Sequence, residues 1–180
     1  NPVARLEVYL REGTAALSGV EVSIGVAGYW LSRPRTNANG LAQTPPLNAG
    51  SWTVRFDQPG YWPAERVVQH TRDAKPVELQ VRRLGDVEIE ARTSTGLAFA
   101  GGVVELVSEE FGERASDWLA AGRISASEAG LALDPAGKLV VRGLPHGEYR
   151  WSIQSNGEIV TAGTEMIAPR TTTRIEARIP

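Results

Sequence analysis

The sequence predicts an all-β protein built as two tandem β-sandwiches, and three observations carry that expectation. Apolar and polar residues alternate with a period of two in short stretches from end to end. Turns rich in Gly, Pro and Asn separate those stretches. The whole pattern is also written twice: Gly40, Leu47, Gly50, Trp52 and Gly60 recur as Gly137, Leu144, Gly147, Tyr149 and Gly157, each displaced by 97 (137 − 40). One displacement held over five positions marks an internal duplication. It divides the 180 residues into a first half, 1–84, and a second, 85–180, with the restart at Leu84-Gly85-Asp86 and almost no linker.

In the first half, Val3 to Leu10 alternates so that Arg5 and Glu7 fall on the face away from the core. Arg11-Glu12-Gly13-Thr14 turns the chain, and Val20, Val22, Ile24 and Val26 line one side of a second strand. A loop with Gly28-Tyr29-Trp30 and Pro34 leads to Asn39-Gly40, the dipeptide best suited to a tight hairpin turn. After Gly50, Trp52, Val54 and Phe56 face one way while Thr53 and Arg55 face the other. Pro59-Gly60 then interrupts the sheet, because proline has no N–H for the ladder, and strands resume at Glu65 to Gln69 and Val77 to Val81.

The second half opens on Val87-Glu88-Ile89-Glu90-Ala91 and continues with Val103 to Val107, the Gly137 turn, Tyr149-Arg150-Trp151-Ser152-Ile153 and a final strand from Thr173 to Ile179. Tyr149 and Trp151, like Trp52, are expected in the core. The halves differ in one main place. Val20 to Gly40 spans 20 residues (40 − 20), whereas Val103 to Gly137 spans 34 (137 − 103), which places an insertion at 108–131. Ser116 is positioned to cap a short helix that Gly122 ends. Loops of this length tend to carry function. The insertion is therefore expected to face a partner through Phe111, Asp117, Trp118 and Leu119 and to be dispensable for folding; the alternative is that its apolar residues cover a sheet edge or the neighbouring domain.

Composition narrows the function. The net charge is −2 and the 17 Arg and 2 Lys are scattered along the chain, so no basic field exists to attract a phosphate backbone. There is no cysteine, which excludes disulfides and thiolate metal sites. No apolar run reaches the roughly 18 to 20 residues that span a bilayer, and the opening Asn1-Pro2-Val3-Ala4-Arg5 has no signal-peptide features. The abrupt strand at either end suggests a piece of a longer protein.

Thr36-Asn37-Ala38-Asn39-Gly40, the run Leu47 to Val54 with its Leu, Gly, aromatic and Val, and Pro59-Gly60-Tyr61 together resemble the carboxypeptidase regulatory-like domains. The resemblance spans both halves and is stronger in the first, since Pro59-Gly60-Tyr61 becomes Ser155-Asn156-Gly157 in the second. It implies seven-stranded, transthyretin-like (Ig-like) sandwiches related in pattern to Cna-B repeats, a family whose members are mostly accessory or stalk modules of secreted and cell-envelope proteins. Cna-B repeats often close an isopeptide bond from a lysine in the first strand, but Lys75 and Lys138 lie in neither opening strand, so none is expected. Transthyretin-like hydrolases need several histidines and a Tyr-Arg-Gly-Ser ending, and dioxygenases on a related sandwich need two His and two Tyr; neither pattern is met by His70, His146 and the ending Ala177-Arg178-Ile179-Pro180.

Both histidines are expected in solvated loops, His70 beside Thr71-Arg72-Asp73 and His146 in a hairpin turn. Glu109, Glu110, Glu113 and Asp117 lack the spacing of a calcium loop, and no Gly-x-Ser-x-Gly element supplies a nucleophile. No catalytic residue, cofactor or metal is expected. Trp30, Trp62 and Trp118 fall in loops, where flat apolar rings can serve a partner or a sugar, or instead plug the open ends of the sandwiches, the reading favoured for Trp30 and Trp62. The sequence thus points to a noncatalytic structural or protein-interaction module, of spacer, stalk or adhesion type, in a larger bacterial protein that is secreted, periplasmic or at the cell surface. Its partner is expected to be a protein or a neighbouring domain of the same polypeptide. The alternative is a carbohydrate-binding module whose loop tryptophans hold a glycan.

Overall fold

The structure, a computed structural model, describes residues 2–180. The chain is all-β apart from one short helix among the described residues, and its contacts divide it into two compact units, Asn1–Arg82 and Arg83–Pro180.

The first unit contains β1 (Pro2–Glu12), β2 (Ala15–Ala16), β3 (Ser23–Val26), β4 (Tyr29–Ser32), β5 (Leu41–Asn48), β6 (Gly50–Phe56), β7 (Tyr61–Trp62), β8 (Ala64–His70) and β9 (Val77–Gln80). One sheet runs β2-β1-β5 with β9 parallel to β1, and the other runs β4-β3-β6-β8. Period-two alternation turns Leu6, Val8 and Leu10 of β1 inward against Val22, Ile24, Val54 and Phe56 in a single buried cluster. Two sheets that share one apolar layer form a sandwich.

The second unit is built from β10 (Arg82–Thr93), which starts one residue before the division, β11 (Val103–Ser108), α1 (Ala115–Ala120), β12 (Lys138–Pro145), β13 (Gly147–Ser155), β14 (Glu158–Ile167) and β15 (Thr172–Ile179). Its sheets run β12-β10-β15 and β11-β13-β14. Val87, Ile89 and Leu139 are buried on the first, and Leu106, Tyr149 and Ile153 on the second. The patterning does not single out β14, because Ala162 and Gly163 interrupt its run of β-branched residues.

The same pairings recur in both units. β1 lies between antiparallel β5 and parallel β9, and β10 lies between antiparallel β12 and parallel β15. Trp52 faces Val68 across β6 and β8, and Tyr149 faces Glu165 across β13 and β14, again displaced by 97 (149 − 52). The turns repeat in chemical detail too. Asn37 Oδ1 accepts the N–H groups of Asn39 and Leu41 at 2.9 and 3.1 Å, and Asp134 Oδ1 accepts those of Ala136 and Lys138 at 2.8 Å. Each is an Asx turn. Gly40 and Gly137 follow with φ of +75° and +73°, and a Cβ there would lie 2.7 Å from the Leu10 carbonyl oxygen or 2.5 Å from that of Ala91. Only glycine fits such a position.

Two local expectations are corrected. Ser116 does not cap the helix: the cap position is Arg114, with extended backbone and no side-chain hydrogen bond, and Ser116 lies inside α1. Trp151 is half-buried rather than core. It lies over Gly163, where a Cβ would come within 2.8 Å of the indole ring, so glycine on β14 makes the room for it.

Candidate interaction surface

The insertion begins as β11 ends. Gly112 donates its N–H to Ser108, and the Ser108 N–H returns to Glu113, so the segment folds straight back along the β11 edge. After α1, Gly122 takes a φ of +67° and ends the helix. The chain then pairs with β12 through reciprocal Ser125 and Arg142 backbone bonds, and rejoins β11 where Val104 donates to Leu131 and Leu133 donates to Gly102. It therefore bonds to both sheets of the second unit and closes the gap between β11 and β12.

That path decides which residues are available. Trp118 is 2% exposed, and its ring meets Phe111 and Tyr149 edge-on at centroid distances of 6.0 and 6.3 Å. Its indole N–H donates to the Glu113 carboxylate. Ala115, Ile124 and Leu131 are buried alongside. The expectation that Trp118 faces a partner is corrected: its ring packs inside the second unit, as the alternative reading of the insertion has it. Phe111 (39% exposed), Asp117 and half-buried Leu119 remain on the outside.

Leu119 lines an open groove of about 510 Å³ between α1 and β11, with Val103, Leu131, Gln154 and the 3.1 Å ion pair of Arg114 with Glu105. Nearby, Glu109 pairs with Arg150. The other candidate tryptophans diverge. Trp62 is 8% exposed and is lost as a contact face, whereas Trp30 is half-buried on β4, a strand rather than a loop, between exposed Tyr29 and Leu31. Tyr29, Leu31, Ile159 and Met166 are exposed apolar residues that the sequence reading passes over; their signal was an apolar residue in a strand facing away from the buried set.

The titratable groups serve the backbone. His70 is 1% exposed on β8, which corrects the expectation of a loop; its Nε2–H donates to the Ala4 carbonyl at 3.1 Å, and its Nδ1 is buried without a partner. In the second unit Ile167 occupies the same register, opposite Gly147 as His70 is opposite Gly50. His146 does lie in a hairpin turn, half-buried, with Nδ1 3.1 Å from the Arg83 carbonyl oxygen. Asp86 Oδ1 accepts the Gly143 N–H at 3.0 Å. Tyr149 donates its hydroxyl to the Pro145 carbonyl at 2.7 Å, and Trp52 donates its indole N–H to the Asn48 carbonyl at 3.0 Å, each reaching four residues back. Burial pushes the Tyr149 phenol well above its ordinary value of 10.0. The Arg92 guanidinium, hydrogen-bonded to Glu90, holds that carboxyl below its usual value. Among the described residues no three His, Cys, Asp or Glu side chains converge as a metal site, and no helix is long and apolar enough to cross a membrane.

No family model matches the chain. No curated protein matches it either. Among solved structures it is similar to the minor pilin GBS52 of Streptococcus agalactiae, at 12% identity over 98% of this chain and 95% of that one, with a TM-score of 0.48. It is also similar to the Bacillus anthracis TIE protein, at 17% identity over 99% of this chain and 34% of that one, with a TM-score of 0.42. A third is the shaft pilin SpaA of Lactobacillus rhamnosus GG, at 10% identity over 98% of each chain, with a TM-score of 0.38.

Proposed function

We propose that this chain is a noncatalytic structural and protein-interaction module of a larger protein exported from a bacterial cell, made of two related sandwiches in tandem. The observation that carries the reading is the use to which the polar side chains are put. His70, His146, Asp86, Asp134 and Tyr149 each spend a hydrogen bond on the backbone of their own unit, and Glu113 on a core tryptophan. A catalytic constellation needs a nucleophile and a base aimed at a common point in a cleft; these groups are aimed at turns and strand ends. The tandem reading is supported by the shared displacement of 97 in sequence (137 − 40) and in strand register, and by a connection of a single residue, Val81, between β9 and β10. Export is supported by the resemblance to accessory modules of envelope proteins.

The partner surface is the outer side of the insertion, with Phe111, Asp117 and Leu119. The carbohydrate alternative depended on tryptophan faces, and burial of Trp62 and Trp118 leaves it only half-buried Trp30 of the three. Two measurements test the proposal. Incubation with panels of esters, peptides and glycosides is expected to give no turnover above buffer, and turnover that disappears in His146→Ala overturns the noncatalytic reading. Used as bait against envelope extracts, the chain is expected to capture a protein that Phe111→Ser/Leu119→Ser releases; capture unchanged by that variant moves the partner surface elsewhere.

A further inference from the structure

The dipeptide Asn-Gly occurs twice in the chain, as Asn39-Gly40 and as Asn156-Gly157, and the fold holds the two copies differently. The dipeptide carries its own chemistry. The amide carbon of the asparagine side chain, Cγ, can close a five-membered ring onto the next residue's backbone nitrogen, and glycine has no Cβ to shield that nitrogen. Attack requires the nitrogen to be free of other bonds and the peptide between the two residues to rotate until it faces Cγ.

Neither condition is met at Asn39. The Gly40 N–H donates to the Asn37 carbonyl at 2.9 Å, and the Gly40 carbonyl accepts the Leu10 N–H at 2.9 Å. On either side, the Asn39 and Leu41 N–H groups are both held by Asn37 Oδ1. Gly40 is buried, with its Cα pressed against the Leu10 carbonyl. The nitrogen is engaged and its peptide is clamped from both ends.

Asn156 and Gly157 form the tip of the β13-β14 hairpin, and both are exposed. Their φ values of +52° and +81° are those of a type I′ turn. The turn closes on the Ser155–Glu158 pair; Gln154–Ile159 comes next, and a register shift then interrupts the ladder before Ile153. No backbone bond from outside that ladder reaches Gly157, and a Cβ on it would meet no atom within 4 Å. Rotating this peptide requires only that a tip two pairs long should open, and strand ends open at little cost in free energy.

We propose that Asn156 is a site of spontaneous covalent modification and that the fold protects Asn39 from the same reaction. The Gly157 nitrogen bonds to Asn156 Cγ, the bond from Cγ to the amide nitrogen breaks, and ammonia leaves with the proton that the glycine nitrogen gives up. Water then opens the succinimide ring. Breaking the bond from the Gly157 nitrogen to Cγ gives aspartate; breaking its bond to the original main-chain carbonyl gives isoaspartate, in which the main chain runs through the side chain. No electrons are transferred, and water is the sole co-reactant. Either product places a new negative charge beside Glu158. Isoaspartate also lengthens the main chain by one carbon, which a two-residue turn that fixes the register cannot absorb, so the Ser155–Glu158 pair is lost.

Peptide mapping by mass spectrometry of the intact chain, aged in mildly alkaline buffer, tests the assignment. Asn156 is expected to convert at least about tenfold faster than Asn39, because only its peptide is released by local opening. In enough urea to unfold both units the two rates are expected to converge, which assigns the contrast to the fold rather than to the dipeptide. Asn156→Asp keeps a residue suited to the turn and is expected to abolish the acidic shift that ageing gives the wild type on isoelectric focusing. Conversion of Asn39 as fast as Asn156 in the folded chain, a contrast that persists in urea, or an acidic shift of Asn156→Asp as large as that of the wild type each overturns the proposal. A folded chain that keeps its Asn156 amide for as long as the unfolded chain takes to convert fully overturns it as well.

Discussion

β3 and β11 hold the same place in their units, Ile24 facing Val54 in one and Leu106 facing Trp151 in the other, yet their outer edges are closed in different ways. β3 is covered by a four-residue strand, β4, which turns back on it through Ala27 and Gly28 and satisfies the edge with ordinary ladder bonds. β11 is covered by the insertion, which bridges it at Val107 with Arg114 and again at Val103 with Ala132, and between those points drives Trp118 into the core. A short hairpin satisfies the backbone and contributes little volume. The longer excursion bonds to both ends of β11 and supplies a large ring as well. Extra length in one of two units that share their strand pairings is thus no sign of a solvated loop; what decides is whether the excursion brings side chains into the core.

The sharpest way to break that comparison is to remove the ring. Trp118→Ala is expected to cost the second unit about 3–5 kcal/mol, seen by calorimetry as a lowered transition for that unit with the first unaffected. A loss below about 1 kcal/mol would reduce the insertion to a cover like β4. A smaller effect is expected at the aromatic corner. Tyr149→Phe keeps the ring and loses the hydroxyl bond to Pro145, for about 1–2 kcal/mol. The same variant has a pH signature. Because the folded phenol titrates above its ordinary value of 10.0, its contribution is complete below that pH and is lost as pH rises beyond it. Alkaline melting should therefore fall more steeply for the wild type than for Tyr149→Phe, and parallel curves would contradict the assignment. The smallest effect belongs to His70→Ile, which copies the residue found in the second unit. It removes the unpartnered Nδ1 but also the donor to Ala4, and the two offset to within about 1 kcal/mol by denaturant melting. A loss of several kcal/mol would show that the imidazole has a role the structure does not display.

Much of this was legible because period-two alternation reports which face is buried. Trp52, Val54 and Phe56 are in the core, as their spacing requires, and Tyr149 is buried in the register of Trp52. The Asn-Gly turn was legible for the same local reason. His70 was not, because its polarity argues for solvent while its strand phase argues for the core, and phase won. Trp118 was misplaced for a different reason. A loop's sequence shows that it has apolar residues but not whether a cavity waits for them, and Trp118 packs on Tyr149, a side chain far away in sequence. β14 escaped notice because its run is broken at Ala162 and Gly163, and Gly163 is there to make room for Trp151, a contact across strands that no window along the chain contains.

In each unit the first long strand runs parallel to the last, β1 beside β9 and β10 beside β15. Parallel neighbours point the same way, so the start of one and the end of the other lie at opposite ends of the ladder. Tension applied through those ends drags the two strands past each other lengthwise and loads all the rungs together, rather than peeling them one at a time. The first unit has four paired positions in that ladder, Val8–Arg11 against Val77–Gln80. The second has eight, Asp86–Thr93 against Thr172–Ile179. On that count the first unit is expected to be the weaker clamp, and single-molecule stretching should release its length before the second's.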